Sequence, residues 1–73
     1  MDYEREEAWL DPIMFSKVLK DMEKTFSITK YYLLSMTAYE SGILLEIVQP
    51  FDMRNPRKFS YERESKKIRE LIS

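Results

Sequence analysis

The chain contains a single glycine, Gly42, within the stretch TAYESGILLEI that runs from Thr37 to Ile47. Glycine adopts backbone conformations that other residues avoid, so it often marks the bend of a β-hairpin or the end of a helix. The length of 73 residues predicts one small domain. The fold class of that domain therefore depends on which of the two roles Gly42 has.

The segment that follows Gly42 favours the hairpin. Its sequence ILLEIVQPF, residues 43–51, is aliphatic, short and interrupted by a proline, which is typical of a buried strand. A lone strand would leave its backbone groups unpaired, so residues 29–39 are expected to pair with it. Tyr39, Glu40 and Ser41 would then form a type I turn, followed by Gly42 at positive φ. Periodicity alone leaves open the alternative of a helix that begins at Ser27 and ends at Gly42.

Helices are predicted on both sides of this hairpin. Asp11 and Pro12 resemble a helix N-cap and first turn, and apolar residues then recur every three or four positions, which predicts a helix over residues 12–25. Residues 52–59 read as a polar loop around Asn55-Pro56. Ser60 is placed to cap a last helix over residues 60–73, with an apolar stripe formed by Tyr61, Ile68, Leu71 and Ile72.

These elements predict a two-layer α+β domain with the order helix, β-hairpin, helix. A two-stranded sheet is too small to be stable alone, so we expect a homodimer in which two hairpins join into one four-stranded sheet. The joined face would be lined by Leu33, Ile43, Leu45 and Ile47. The alternative fold class is an all-α domain of three to four short helices.

Charge divides the chain into an acidic arm, residues 1–11, and a single domain, residues 12–73. The arm has five acidic residues and one arginine, whereas residues 54–73 have seven basic and three acidic residues. No apolar run reaches the roughly 18 residues that a membrane span needs, and the arm does not resemble a secretory signal. We therefore expect a cytoplasmic protein that does not contact a membrane.

The composition argues against catalysis. The chain has no histidine and no cysteine, which removes the commonest general base, the thiol nucleophile and the usual zinc ligands. A single glycine is too few for a phosphate-binding loop. Glu46, within LLEIV, is expected to face water at the rim of the sheet. We expect a non-enzymatic protein without a cofactor or a metal.

Protein interaction is the function that the sequence favours. A small core rich in tyrosine and methionine suits a partner-binding surface, so we expect a small regulatory or inhibitory protein that binds itself and a further protein. The expected interface residues are Trp9, Tyr31, Leu33, Tyr39, Ile43, Leu45 and Ile47.

The alternative is a regulator that binds nucleic acid through the basic segment 54–69. Phe59 and Tyr61 are interleaved there and would stack on bases. The acidic pI of about 5.4 argues against this alternative. The residues expected to contact nucleic acid are Arg54, Arg57, Lys58, Arg63, Lys66 and Lys67.

Overall fold

The computed structural model describes residues 12–72, which form one helix and one four-stranded sheet. The sheet is antiparallel throughout, and its strands lie in the order β1-β2-β3-β4. The helix packs on one face of the sheet. The elements are α1 (Pro12–Phe26), β1 (Tyr32–Ala38), β2 (Gly42–Gln49), β3 (Asp52–Glu62) and β4 (Ile68–Leu71).

The first predicted helix is confirmed as α1. Its apolar stripe is buried at Val18 and Met22, as the three- and four-residue spacing predicted. The helix ends where Ser27 adopts a left-handed φ of 56° and the Ile28 N–H donates to the carbonyl oxygen of Glu23 at 3.0 Å. This bond is typical of a Schellman end and turns the chain towards the sheet. The predicted N-cap, Asp11, lies outside the described residues.

The hairpin is confirmed, but the predicted role of Gly42 is wrong. Strands β1 and β2 pair antiparallel, and the Tyr39 N–H donates to the Gly42 carbonyl oxygen at 2.6 Å. Gly42 does not have a positive φ. A Cβ atom at this position would instead overlap the backbone carbonyl oxygen of Tyr61 in β3. Glycine is therefore needed because a third strand passes close to the hairpin.

The predicted second half of the fold is wrong, and so is the all-α alternative. Residues expected to form a polar loop and a helix form β3 and β4 instead. Phe59 and Tyr61 are both fully buried, and this two-residue period belongs to a strand. Between the strands, the Glu62 N–H donates to Lys67 and the Lys66 N–H donates to Glu62, both at 2.9 Å. Strand pairing with β2 thus determines the secondary structure here, although the apolar residues of segment 60–73 are spaced as in a helix.

The homodimer was predicted because a two-stranded sheet would need strands from a second chain. This reason for the prediction is wrong. One chain supplies all four strands, so the domain is a sheet-rich α+β fold. The side chains of Ile43, Leu45 and Ile47 belong to the buried core. Residues on the other face, such as Leu44 and Glu46, are partly or well exposed, as is common for an antiparallel sheet. The buried core cluster is Val18, Met22, Ile28, Ile43, Leu45, Ile47, Phe59 and Tyr61.

We predict that Gly42→Ala lowers the free energy of unfolding by about 1–3 kcal/mol, because the added methyl group displaces the backbone of β3 from β2. Urea denaturation followed by circular dichroism measures this change. Ser41→Ala, on the exposed neighbouring residue, is the control and should change stability by less than about 0.5 kcal/mol. Equal stability of Gly42→Ala and the wild type would contradict the close approach of β3.

Candidate functional site

Five large apolar side chains are exposed at one end of the sheet. Tyr32, at the start of β1, pairs with Val48, near the end of β2, so the start of β1 lies beside the turn between β2 and β3. Phe51 in that turn is 81% exposed. We call this cluster the apolar end, and it consists of Tyr32, Leu33, Leu34, Phe51 and Met53.

Two of these side chains belong to the turn between β2 and β3 and to the start of β3. Gln49 of β2 pairs with Asp52 of β3, and the next pair along the strands is Ile47 with Arg57. Residues 53–56 have no partner in β2 and project from the ladder between these two pairs. The Asn55 side-chain amide donates to the Asp52 carboxylate at 2.8 Å and closes the projecting segment. Met53 therefore lies within the segment that this hydrogen bond closes, and Phe51 directly precedes it.

The two edges of the sheet differ in length and charge. In the described residues β1 pairs only with β2, so its outer backbone edge is free, and its sequence YLLSMTA has no charge and no proline. The other edge, β4, is four residues long and includes Arg69 and Glu70. Short strands and charged residues are common devices that protect an edge against pairing with other chains. By length and charge β4 is protected and β1 is not; the protective feature that β1 does have is a β-bulge.

A β-bulge interrupts the pairing of β1 with β2 between Leu33 and Ser35. Leu34 has no paired residue across the strand, and its side chain is 52% exposed. Bulges occur frequently at sheet edges and redirect single side chains. Leu34 therefore adds an exposed apolar group to the free edge of β1, next to the apolar end.

A polar cluster links β2, β3 and β4. The Arg57 guanidinium donates to both oxygens of the Glu70 carboxylate at 2.9 Å and to the Gln49 side-chain oxygen at 2.8 Å. It also lies 5.4 Å from the centroid of the Phe59 ring. The hydrogen bonds to Arg57 hold the pKa of Glu70 below its ordinary value, and the same bonds raise the pKa of Arg57. This two-point ion pair positions β4 against β3.

The basic residues expected to contact nucleic acid do not form one compact patch. Arg54 lies in the projecting segment of β3, and Arg57 is bonded to Glu70. Lys58 pairs with Glu46, on the side of the sheet away from the helix. The other three lie in the turn between β3 and β4, at the opposite end of β3; they are Arg63, Lys66 and Lys67.

The residues expected at a protein interface do not lie on one surface: some are exposed at different places and others are buried. The Tyr31 hydroxyl donates to the Glu23 carboxylate at 2.6 Å; burial, followed by this bond, raises the pKa of Tyr31 to about 12. Leu33 belongs to the apolar end, and Tyr39 is exposed beyond the other end of β1. Trp9 lies outside the described residues. The buried ones are Ile43, Leu45 and Ile47.

Four residues of the apolar end were not among the expected interface residues: Tyr32, Leu34, Phe51 and Met53. The sequence carries a signal for two of them, because Phe51 and Met53 stand in a short polar segment between two prolines, where burial is difficult. The exposure of Leu34 depends on the bulge, and no local sequence feature indicates that bulge.

Comparisons with protein-family models, curated proteins and solved structures found no match to this chain. Neither the structure of residues 12–72 nor these comparisons support the terms regulator and inhibitor. The single described helix is too short to cross a membrane. Within residues 12–72, no group of three or more acidic side chains is arranged to hold a metal ion. Exposed surfaces are therefore the basis for inferring function.

We predict that the Arg57–Glu70 ion pair makes stability depend on pH. Because the folded-state pKa of Glu70 lies below its ordinary value of 4.5, the charged carboxylate stabilises the fold above about pH 4.5. This contribution, on the order of 1 kcal/mol, is lost as the pH falls through the folded-state pKa. Melting temperatures of the wild type and Glu70→Gln should therefore differ most at neutral pH and converge towards pH 2.

Glu64→Gln is the matched control, because Glu64 is an exposed carboxylate in the turn between β3 and β4. This variant should melt close to the wild type across the same pH range. A constant difference between wild type and Glu70→Gln from pH 7 to pH 2 would argue against a stabilising role for the charged pair.

Proposed function

We propose that this protein is a protein-binding domain that adds an extended, apolar segment of polypeptide to the free edge of β1. In this mode of recognition, main-chain hydrogen bonds supply affinity and alternate side chains supply specificity. The observation that carries the proposal is the uncharged edge of β1, which no strand within residues 12–72 covers, beside the apolar end.

The contrast between the two edges supports this proposal. An exposed, uncharged edge strand is a liability, because it pairs with other chains unless something protects it. The same fold has a short, charged strand, β4, at its other edge. A free β1 edge in a chain that has a protected edge elsewhere is consistent with a binding role for β1.

The apolar end would supply the side-chain contacts. Single exposed apolar residues are common on protein surfaces, whereas clusters often mark interaction sites. Tyrosine, phenylalanine and methionine are enriched at interfaces, and Tyr32, Phe51 and Met53 belong to this cluster. A strand added along β1 would pass directly beside Tyr32, Leu33 and Leu34. Both the backbone edge and these three side chains would then be covered by the same segment.

Nucleic-acid binding has less support from the arrangement of charges. A basic surface that tracks a phosphate backbone needs its cations along one groove or face. Arg57 is committed to Glu70, and the remaining candidates are divided between the two ends and the open face of the sheet. The protein-binding proposal is therefore preferred.

A displayed library of random 12-residue peptides tests the proposal. We predict that selection on the wild-type protein enriches uncharged, β-prone peptides and that Leu34→Lys lowers their affinity at least tenfold, because lysine on an edge strand opposes pairing. Affinities are measured by fluorescence anisotropy with the selected peptides. A single-stranded 20-nucleotide oligonucleotide serves as the probe for the alternative function.

Ile13→Lys is the matched control, because Ile13 is 80% exposed on α1, away from β1. It introduces the same charge at an apolar surface residue and should leave peptide affinity unchanged. The proposal is overturned if no peptide is enriched on a wild-type protein that is monomeric under the selection conditions, or if Leu34→Lys and Ile13→Lys bind the peptides equally well. Tight binding of the oligonucleotide without peptide binding would favour the nucleic-acid alternative.

A further inference from the structure

Two opposite charges flank the uncharged segment that contains β1. Residues 31–39 have no charged side chain, whereas Lys30 precedes them and Glu40 follows them. Both flanking residues are exposed. They stand five positions before and five positions after Ser35, so the charge pattern is antisymmetric about the middle of β1.

Such a pattern is complementary to itself when two copies run antiparallel. If two β1 strands pair antiparallel about a two-fold axis at Ser35, the residues before Ser35 in one copy lie opposite the residues after Ser35 in the other, and the bulge at Leu34 lies beside the axis. Lys30 and Glu40 lie two residues outside the two ends of β1, so Lys30 of each copy then lies near Glu40 of the other. Because of the two-fold symmetry, both pairs of opposite charges form together, one at each end of the contact. The uncharged residues of the two β1 strands lie between them.

We propose that the strand bound along β1 is β1 of a second copy of this chain, paired antiparallel about Ser35. This inference rests on the proposed function and specifies its partner. The two sheets would become one continuous sheet of eight strands, four from each chain. Residues 12–72 of each chain already form a four-stranded sheet, so the contact extends existing sheets rather than completing a hairpin.

Lys30 and Glu40 cannot satisfy each other within one chain. They flank the two ends of β1, and the seven residues of β1 alone span about 20 Å at about 3.3 Å per residue. A salt bridge requires the charged atoms to approach within about 4 Å. Any coupling between these two side chains therefore reports a contact between copies.

Charge reversal tests the proposed contact. Sedimentation velocity at low ionic strength measures the dimer dissociation constant for the wild type, Lys30→Glu, Glu40→Lys and the double variant. Each single reversal replaces two attractive pairs with two repulsive ones, so we expect the dissociation constant to rise on the order of tenfold. The double reversal restores both pairs with exchanged signs and should return the constant to near its wild-type value.

The controls are Lys20→Glu on α1 and Glu64→Lys in the turn between β3 and β4, both exposed and both distant in sequence from β1. They change the net charge by the same amounts and should leave the dissociation constant unchanged. Circular dichroism verifies that every variant is folded. Leu34→Lys should give a monomer.

The outcomes separate the inference from the proposed function. A monomeric wild type at 100 µM, or a dimer that none of the β1 variants weakens, overturns the second copy as partner. If library peptides still bind along β1 in that case, the proposed function stands and only its partner changes. If the double reversal is as weak as the single reversals, the register about Ser35 is wrong. If neither the second copy nor the peptides bind, both proposals fall.

Discussion

The pairing of β2 with β3 is the interaction on which the rest of this structure depends. It joins the β1–β2 hairpin to β3, so that β2 and β3 form the centre of a four-stranded sheet. It also brings Phe59 and Tyr61 into the same core as Ile43 and Leu45. Helix α1 then has a surface to cover, and its Phe26 ring packs 4.8 Å from the ring of Phe59. Without this pairing, the buried face would consist of two strands, which is too little for a stable domain.

This pairing also determines which surfaces remain for binding. With β3 along one side of β2 and β1 along the other, the outer edges of the sheet are β1 and β4. The Arg57–Glu70 ion pair holds β4 against β3, and Glu70 and Arg69 are the charged residues of the protected edge. The open edge is β1, whose start lies beside the exposed turn that holds Phe51. Binding is therefore proposed at a surface that the sheet order creates.

The arrangement separates stability from interaction. Ile43, Leu45 and Ile47 were expected at an interface, yet the sheet buries them under α1. Leu34 and Phe51, which contribute little to that core, are exposed at the edge and end of the sheet. Substitutions at these exposed sites are thus expected to affect binding with little effect on folding. The flanking charges Lys30 and Glu40 are likewise exposed, so they are available to orient a partner without stabilising the fold itself.

The sequence by itself determined helix α1 and the hairpin, because both are encoded by local patterns: apolar spacing in 12–26 and an aliphatic strand after Gly42. It also determined the charge pattern around β1, with Lys30, Glu40 and the uncharged residues between them. Only the tertiary structure decided that residues 52–71 form strands, since the spacing of residues 60–73 suits a helix and the strands are fixed by pairing of β3 with β2 and β4. Tertiary structure also decided why Gly42 must be glycine, which face the strands bury and which edge stays open. Those properties depend on contacts between β2 and β3, and local sequence patterns do not encode such contacts.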